Sequence, residues 1–394
     1  MILVGPPPTW MQRVTFACGI VAALIAAVAG WFDPAHFFPA WLFAWLCVLG
    51  IALGALANVM IHELTGGAWG FVIRRALESA IGTMPVVALL GVPLAFGLSH
   101  LYPWAAPRGA DALLDAKAWY LETPFFVARA AAYFAVWIAL ALALRRQWRA
   151  HRMSATGAPQ PDARALAIAG LIAYAVTMTL AAVDWIMSLS RDWHSTGFGL
   201  LVLTSQALAA FAFGVAASVA GGALRGACRA PAAVPADAMN EPPGTARDAQ
   251  DLGNILMMYA MLWAYLAFTQ FLIIWAEDLP TEIGWYVARA TPGWKALAVV
   301  VVLLQFVLPF VAMLFRTFKR DALRLAALCA VVLCAHVLEV AWHVLPAFDG
   351  AQLWFAPVAL VAVGGLWGAA FLVLYARSSP VRAPFDLPAI AEHG

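Results

Sequence analysis

The sequence predicts an all-α polytopic membrane protein with ten transmembrane helices. Three observations point there. Hydrophobic residues make up 64% of the 394 and charged residues 11%, against roughly 45–50% and about 25% in soluble chains. The apolar runs are continuous and about 20 residues long, the length of a helix that crosses a bilayer. They do not alternate, which excludes a transmembrane barrel. So few polar side chains cannot cover a globule with water-facing surface. A large soluble domain, a disordered chain, a collagen and a coiled coil are excluded. The net charge of +2 gives no reason for a nucleic-acid partner.

The ten spans fall near 12–31, 37–61, 79–101, 124–144, 165–188, 195–224, 252–276, 294–315, 323–345 and 352–376. The first follows Arg13. Trp31-Phe32-Asp33-Pro34 offers no small-residue cleavage site, so it is read as a retained span and not a signal peptide. Gly50-x-x-x-Gly54 in the second span and Gly364-x-x-x-Gly368 in the tenth would let helices approach closely. Pro85, Pro93, Pro309 and Pro357 fall inside spans and are expected to kink them. Segment 102–123 carries Tyr102, Pro103, Trp104, Trp119 and Tyr120 and reads as a short ordered cap. Loop 225–250 is Ala/Pro-rich and reads as a flexible linker. Trp31, Trp41, Trp104, Trp275, Trp285 and Trp294 sit near span ends, as an aromatic belt requires.

With the N-terminus inside, 17 of the 23 Lys and Arg lie on the cytoplasmic side, so both termini are predicted cytoplasmic. The five cysteines form no CxxC or CxxCH, which argues against a zinc ribbon, a four-cysteine iron–sulfur site and covalent haem. No phosphate-binding glycine loop or nucleophile elbow occurs.

Ionisable groups within a span are costly and point to function. Three sets stand out. On the inner side, His62, Glu63 and Glu78 read either as a proton entry or as interfacial groups paired with Arg74 or Arg75. His62-Glu63-Leu64-Thr65-Gly66 fails the HExxH zinc pattern. On the outer side, His100, Arg129 and Asp184 fall at similar depth. They read either as a quinone-headgroup and proton-accepting site or as a structural Arg129–Asp184 pair. In the ninth span His336, Glu339 and His343 share one helix face. They read as a proton relay, as haem or metal ligands, or as polar glue. A haem would need a second histidine at matching depth, for which His100 is the candidate. Gln206 and Gln270 are read as interhelical hydrogen bonders.

Four strings carry a resemblance: Leu64-Thr65-Gly66-Gly67-Ala68-Trp69-Gly70 with Arg74-Arg75; Asp184-Trp185-Ile186-Met187-Ser188-Leu189; Asp251-Leu252-Gly253-Asn254; and Met261 to Trp275. In this order they resemble a membrane subunit of bacterial alternative complex III, a quinol:cytochrome c oxidoreductase, within the wider polysulfide-reductase (NrfD) class. The second of its two such subunits is the more similar. One departure is His62-Glu63, where relatives more often carry His-His.

The resemblance implies two four-helix bundles, spans two to five and six to nine, flanked by spans one and ten. The divisions are then 1–36, 37–190, 191–350 and 351–394. It implies a subunit of a respiratory oxidoreductase in the bacterial inner membrane, with menaquinone or ubiquinone as candidate ligand. The chain itself would bind no haem or iron–sulfur cluster. Implied partners are the lipid bilayer, a homologous NrfD-like subunit, and iron–sulfur and multihaem cytochrome c subunits, with a terminal oxidase as a further candidate. The alternatives are a proton-coupled secondary transporter and a b-type haem subunit.

Overall fold

The computed structural model describes residues 7–106, 114–115, 117–153, 163–224, 245–348 and 354–378, and contains no strand among them. Ten helical segments are long and apolar enough to cross a membrane. They are α1 (Thr9–Phe32), α2 (Pro34–Thr65), α3 (Ala68–Phe96), α4 (Thr123–Trp148), α5 (Ala163–Leu189), α6 (Phe198–Ala220), α7 (Ala246–Glu277), α8 (Pro292–Leu314), α9 (Ala322–Ala347) and α10 (Phe355–Arg377). The chain is a multi-pass membrane protein.

Burial separates the helices into two kinds. The most apolar stretch of α2 is 94% buried and that of α6 is 72% buried, whereas α1 is 17% buried. α2 therefore faces neither lipid nor water along most of its length, and α1 presents most of its surface outward. Around the central pair, α3 and α5 pack on both α2 and α6, α4 packs on α5, α7 packs on α6, and α9 packs on α6 and α8. α10 lies against α2 and carries α1 on its other side.

Glycines set the closest approaches. A Cβ on Gly54 of α2 would overlap the Gln206 carbonyl of α6. A Cβ on Gly19 of α1 would lie 2.7 Å from the backbone nitrogen of Leu366 in α10. The expected close contact in the tenth span thus belongs to Gly365, which faces Gly19, and not to Gly364, which has nothing within 4 Å.

Other expectations are corrected. The third span begins at Ala68, eleven residues before the expected 79, so Arg74 and Arg75 lie inside a helix and not in a loop. Glu63 and Glu78 answer Arg74, which lets the charge enter the helix. The proline breaks are real at three sites. Pro85 opens the second piece of α3 after Thr83, Pro93 sits in a 3₁₀ turn, and Pro309 follows a π-helical turn, Leu303–Val307. Pro357 lies in the first turn of α10, where a missing N–H costs little, and makes no break. Of the linker 225–250, residues 225–244 lie outside the described residues. Residues 246–250 are helical, begun by a capping box between Thr245 and Asp248. Of the cap 102–123, residues 107–113 and 116 lie outside the described residues; Tyr102 stacks on Trp104 with ring centroids 5.2 Å apart. Trp31 and Trp275 are exposed as belt residues should be, but Trp41, Trp104 and Trp285 are buried. Trp41 is held inside by its Nε1–H, which donates to the Leu90 carbonyl at 2.9 Å.

Gly54→Ala is expected to force α2 and α6 apart and cost about 1–3 kcal/mol, as overpacking does. A thermal-unfolding midpoint in detergent should fall by several degrees, while Gly364→Ala, which faces open space, should leave it unchanged.

Candidate proton path and ligand cavity

The inner-face set is built on one guanidinium. Arg74 Nε donates to Glu78 Oε1 at 2.9 Å and Nη2 to Glu63 Oε1 at 2.5 Å. Trp148 Nε1 donates to the same Glu63 oxygen at 3.0 Å, and its ring lies under the guanidinium. His62 Nε2 is 3.0 Å from the Gly67 carbonyl, and its Nδ1 is 3.5 Å from Arg74 Nη1. A carbonyl can only accept and a guanidinium can only donate. The neutral imidazole therefore carries its proton on Nε2 and turns a lone pair toward Arg74. Arg75 takes no part; it donates to the Tyr375 carbonyl of α10 at 2.7 Å. The Leu-Thr-Gly-Gly-Ala-Trp-Gly string now has a physical account. Gly66 and Gly67 adopt φ of 70° and 97° to turn α2 into α3. Gly70 leaves the space that the His62 ring fills, and Trp69 meets that ring edge-on.

One face of α2 carries the polar groups onward. Cys47, Gly50, Gly54, Asn58 and His62 recur at three- and four-residue steps. Between Cys47 and His62 this face runs about 22 Å at the helical rise. Asn58 Nδ2 donates to the Gly54 carbonyl and to the Ala207 carbonyl of α6, both at 2.8 Å. Its Oδ1 accepts from the Tyr259 hydroxyl of α7 at 2.9 Å. At Gly50 an added Cβ would lie 3.0 Å from the His336 ring and 3.4 Å from Gln206 Cγ, so the missing side chain seats both residues. Gln206 Oε1 accepts from the Tyr174 hydroxyl at 2.9 Å, the interhelical bond the sequence predicts for it. His336 Nε2 lies 3.3 Å from the Cys47 carbonyl.

The line ends on Glu339, which is 2% exposed. Trp263 Nε1 donates to its Oε1 at 2.6 Å and Gln305 Nε2 to its Oε2 at 2.8 Å. The Ser205 hydroxyl donates to the same Oε2 and is also 3.5 Å from His336 Nδ1. His343 Nε2 lies 3.7 Å from Oε1. Ser205 has one proton and two acceptors, Glu339 and the His336 lone pair. Rotation of that hydroxyl turns its hydrogen bond from one to the other. Gln305 reaches Glu339 from the π-helical turn of α8, a local widening of the kind common at functional sites.

Asp184 is arranged differently. It is fully buried, and Arg129 donates to both carboxylate oxygens, Nη2 to Oδ1 at 2.9 Å and Nε to Oδ2 at 3.0 Å. Tyr133 donates to Oδ2 at 2.9 Å, and Arg129 Nη1 donates to the Tyr120 carbonyl at 2.6 Å. Both oxygens are occupied in a bidentate lock between α4 and α5. His100 does not join it. It is exposed and stacks on Phe38 at 5.6 Å. Of His100, Arg129 and Asp184, the structure brings the last two together as an ion pair and leaves His100 apart.

A cavity of about 890 Å³ lies on the same side of the membrane as Asp184, against α6, α7, α8 and α9. Glu339, His343, Gln270 and Arg289 belong to its wall. Arg289 is buried and gives its donors to the carbonyls of Trp285, Trp342 and His343 at 2.7, 2.9 and 2.7 Å. It thereby caps the end of α9, where a cation meets the negative end of the helix dipole. Burial pulls the Arg289 guanidinium down to about 9, so it remains charged at neutral pH. Three buried atoms of wall residues have no partner: His343 Nδ1, Gln270 Nε2 and Trp342 Nε1. Each such atom costs about 1–3 kcal/mol when left dry. Gln270 is thus not the interhelical hydrogen bonder expected through its amide nitrogen.

Sequence reasoning missed Ser205, Trp263, Gln305, Asn58, Tyr259 and Arg289. Only Arg289, a cation beside two span-end tryptophans, carried a local signal. Compared with protein-family models and with curated proteins, the chain matches none.

Asp184→Asn or Arg129→Gln leaves one member of the pair alone and is expected to cost about 3–5 kcal/mol. The midpoint of unfolding in detergent should drop for each single variant. It should return most of the way in the double variant, which leaves neither charge alone.

Proposed function

We propose that the chain is a membrane subunit of a respiratory quinol:electron-acceptor oxidoreductase, in which Glu339 and the polar face of α2 carry protons. The observation behind the proposal is the setting of Glu339. Among the described residues it is a buried carboxyl without an Arg or Lys partner, held by neutral donors and beside two histidines. A carboxyl locked to a guanidinium is a poor carrier, because losing its charge strands the cation. Glu339 has no such tie, and Ser205 links it to His336. His336, Glu339 and His343 serve as a relay in this reading. Asn58, Tyr259 and the group of His62, Glu63, Arg74 and Glu78 lead toward the opposite face.

The strings that resemble alternative complex III support the reading, because each has a job in this arrangement. The first turns α2 into α3 and seats His62. The second holds Asp184. Within the third, Asn254 accepts from Lys319 at 2.7 Å and ties α7 to the loop before α9. The fourth supplies Trp263 and the cavity wall. Quinol oxidation releases two electrons and two protons. The chain would take the protons, and iron–sulfur and multihaem cytochrome subunits would take the electrons. Spans two to five and six to nine would form the two four-helix bundles, with α2 and α6 at their seam. The N- and C-termini would face the cytoplasm of a bacterium and Glu339 would lie toward the outer side. The cavity wall is mostly apolar, which favours a lipid-soluble ligand over the water-soluble cargo of a transporter.

Glu339→Gln keeps the shape and removes the titrating proton. In the assembled complex, quinol turnover or proton release should fall about a hundredfold or more, the usual scale of a lost acid–base group, while subunit content stays the same. Unchanged turnover and proton release in the intact complex would remove the relay. Reporter fusions at the C-terminus should read cytoplasmic, and fusions within 278–291 should read the opposite side.

A further inference from the structure

We propose that the cavity bounded by α6, α7, α8 and α9 holds one acyl chain of a glycerophospholipid, with the phosphate on Lys295 and the second chain left in the bilayer. The site stands on the cavity and its rim, whatever reaction the protein serves.

The opening follows from how α8 is built. Its second half, together with the π-helical turn, packs on α7; its first half, Pro292–Val302, packs chiefly on α9. The cavity of about 890 Å³ occupies the space left between α7 and that first half, and the short helix Pro280–Val287 closes one end. Phe268 on one wall and Val299 on the other are more than half exposed. In a membrane that edge meets hydrocarbon, so a chain enters sideways without crossing water. A slot of this size would forfeit dispersion contacts along its whole lining if nothing filled it. The bilayer always has a chain at hand to fill it.

The wall offers no hydrogen bonds along its depth. Arg289 gives its nitrogens to carbonyls, and Glu339 is engaged by Trp263, Gln305 and Ser205. The partnerless nitrogens of His343, Gln270 and Trp342 are covered by protein atoms and do not face the space. A hydrocarbon chain needs none of these groups.

Length and charge choose the ligand. From Trp263 to Trp275 the α7 wall runs about 18 Å at the helical rise. One leaflet of hydrocarbon is about 15 Å, half of the bilayer core. Where α7 stops and α8 starts, the rim carries Trp275 and Lys295, both exposed. Lys295 has no hydrogen-bond or ion-pair partner among the described residues. It lies in the first turn of α8, which holds no acidic residue and no side-chain cap. Its charge therefore adds to the positive end of the helix dipole, and a phosphate answers both. The lysine stem lies along the apolar rim while the ammonium reaches headgroup level. An inorganic anion would match the charge and leave the slot bare; a neutral apolar molecule would do the reverse. A glycerophospholipid matches both, and its second chain needs no site.

The test uses the full chain in lipid nanodiscs doped with a phosphatidylglycerol that carries a diazirine at the end of one acyl chain. Illumination is followed by mapping of the label by mass spectrometry. α1, which lies mostly open to lipid, reports ordinary bilayer contact. Label is expected to concentrate at the deep end of the cavity, within 263–267 and 302–306, above its level on α1. Ala298→Trp, which fills the cavity, should abolish that excess and leave the label on α1 unchanged. Lys295→Ala, a change at an exposed position, should lower the excess by up to about fivefold, the scale of an exposed ion pair, and Lys295→Arg should retain it. Label no higher in the cavity than on α1, or an excess that persists in Ala298→Trp, would make this lipid ordinary bilayer and overturn the site. An excess indifferent to Lys295→Ala would overturn the phosphate assignment. An excess that added quinone suppresses and added phospholipid does not would give the cavity to a quinone and overturn the proposal.

Discussion

The contact that the rest of the structure depends on is the one between α2 and α6 at Gly54. No side chain fits between the Gly54 Cα and the Gln206 carbonyl. That approach draws α6 against a single face of α2 and buries α2 from lipid. Once α2 is buried, each polar group on it must find a partner inside the protein, because lipid offers none. Asn58 finds Ala207 and Tyr259, and His62 finds Gly67 and Arg74. The line of polar residues is the result of one steric condition followed by hydrogen-bond accounting. Without the close approach, neither Gln206 nor His336 would reach the hollow at Gly50.

Two buried acids on the same side of the membrane show how neighbours decide a role. Asp184 is gripped at both oxygens by Arg129, and Tyr133 adds a third bond. It joins α4 to α5 and has no free direction. Glu339 is held by an indole, an amide and a hydroxyl, with histidines one turn away on either side. None of these partners is a guanidinium or an ammonium. The same carboxyl chemistry meets a guanidinium in one place and neutral donors in the other. Arg289 extends the contrast, since its charge is spent on helix-end carbonyls and is not aimed at either acid.

Much of the fold was legible in the sequence, because a span is a property of a contiguous run. All ten apolar runs became helices. The limits moved where a charge was neutralised from outside the run. The pairing of Arg74 with Glu63 and Glu78 was legible, but not that it lets α3 start at Ala68, because nothing near Arg74 in the chain announces that Trp148 will cover it. The ionisable residues of α9 stood out for the opposite reason: His336, Glu339 and His343 share a helix face and need no partner to be noticed. Ser205, Trp263 and Gln305 are ordinary residues until α6, α7 and α8 bring them to one carboxylate. The three-residue outer set fails at His100 because equal depth does not fix direction. Two helices at the same level can present their side chains to different sides, and Phe38 takes the imidazole instead.

The wide turn in α8 has a geometric consequence. The buried residues of this helix, Val301, Gln305, Pro309 and Met313, recur every four positions. A regular helix repeats every 3.6, so over that distance their directions would drift by about 120°. The turn at 303–307 takes up part of the drift, like a phase correction inserted into a screw thread. It lets Gln305 point at Glu339 while Met313, further along, still meets Gly253 of α7. The helix is thus two shorter screws, each cut to its own partner. Removing one residue from the turn would leave eleven steps between Val301 and Met313, within about 20° of three whole turns, so both screws would keep their partners and the cut would fall on the turn that carries the glutamine.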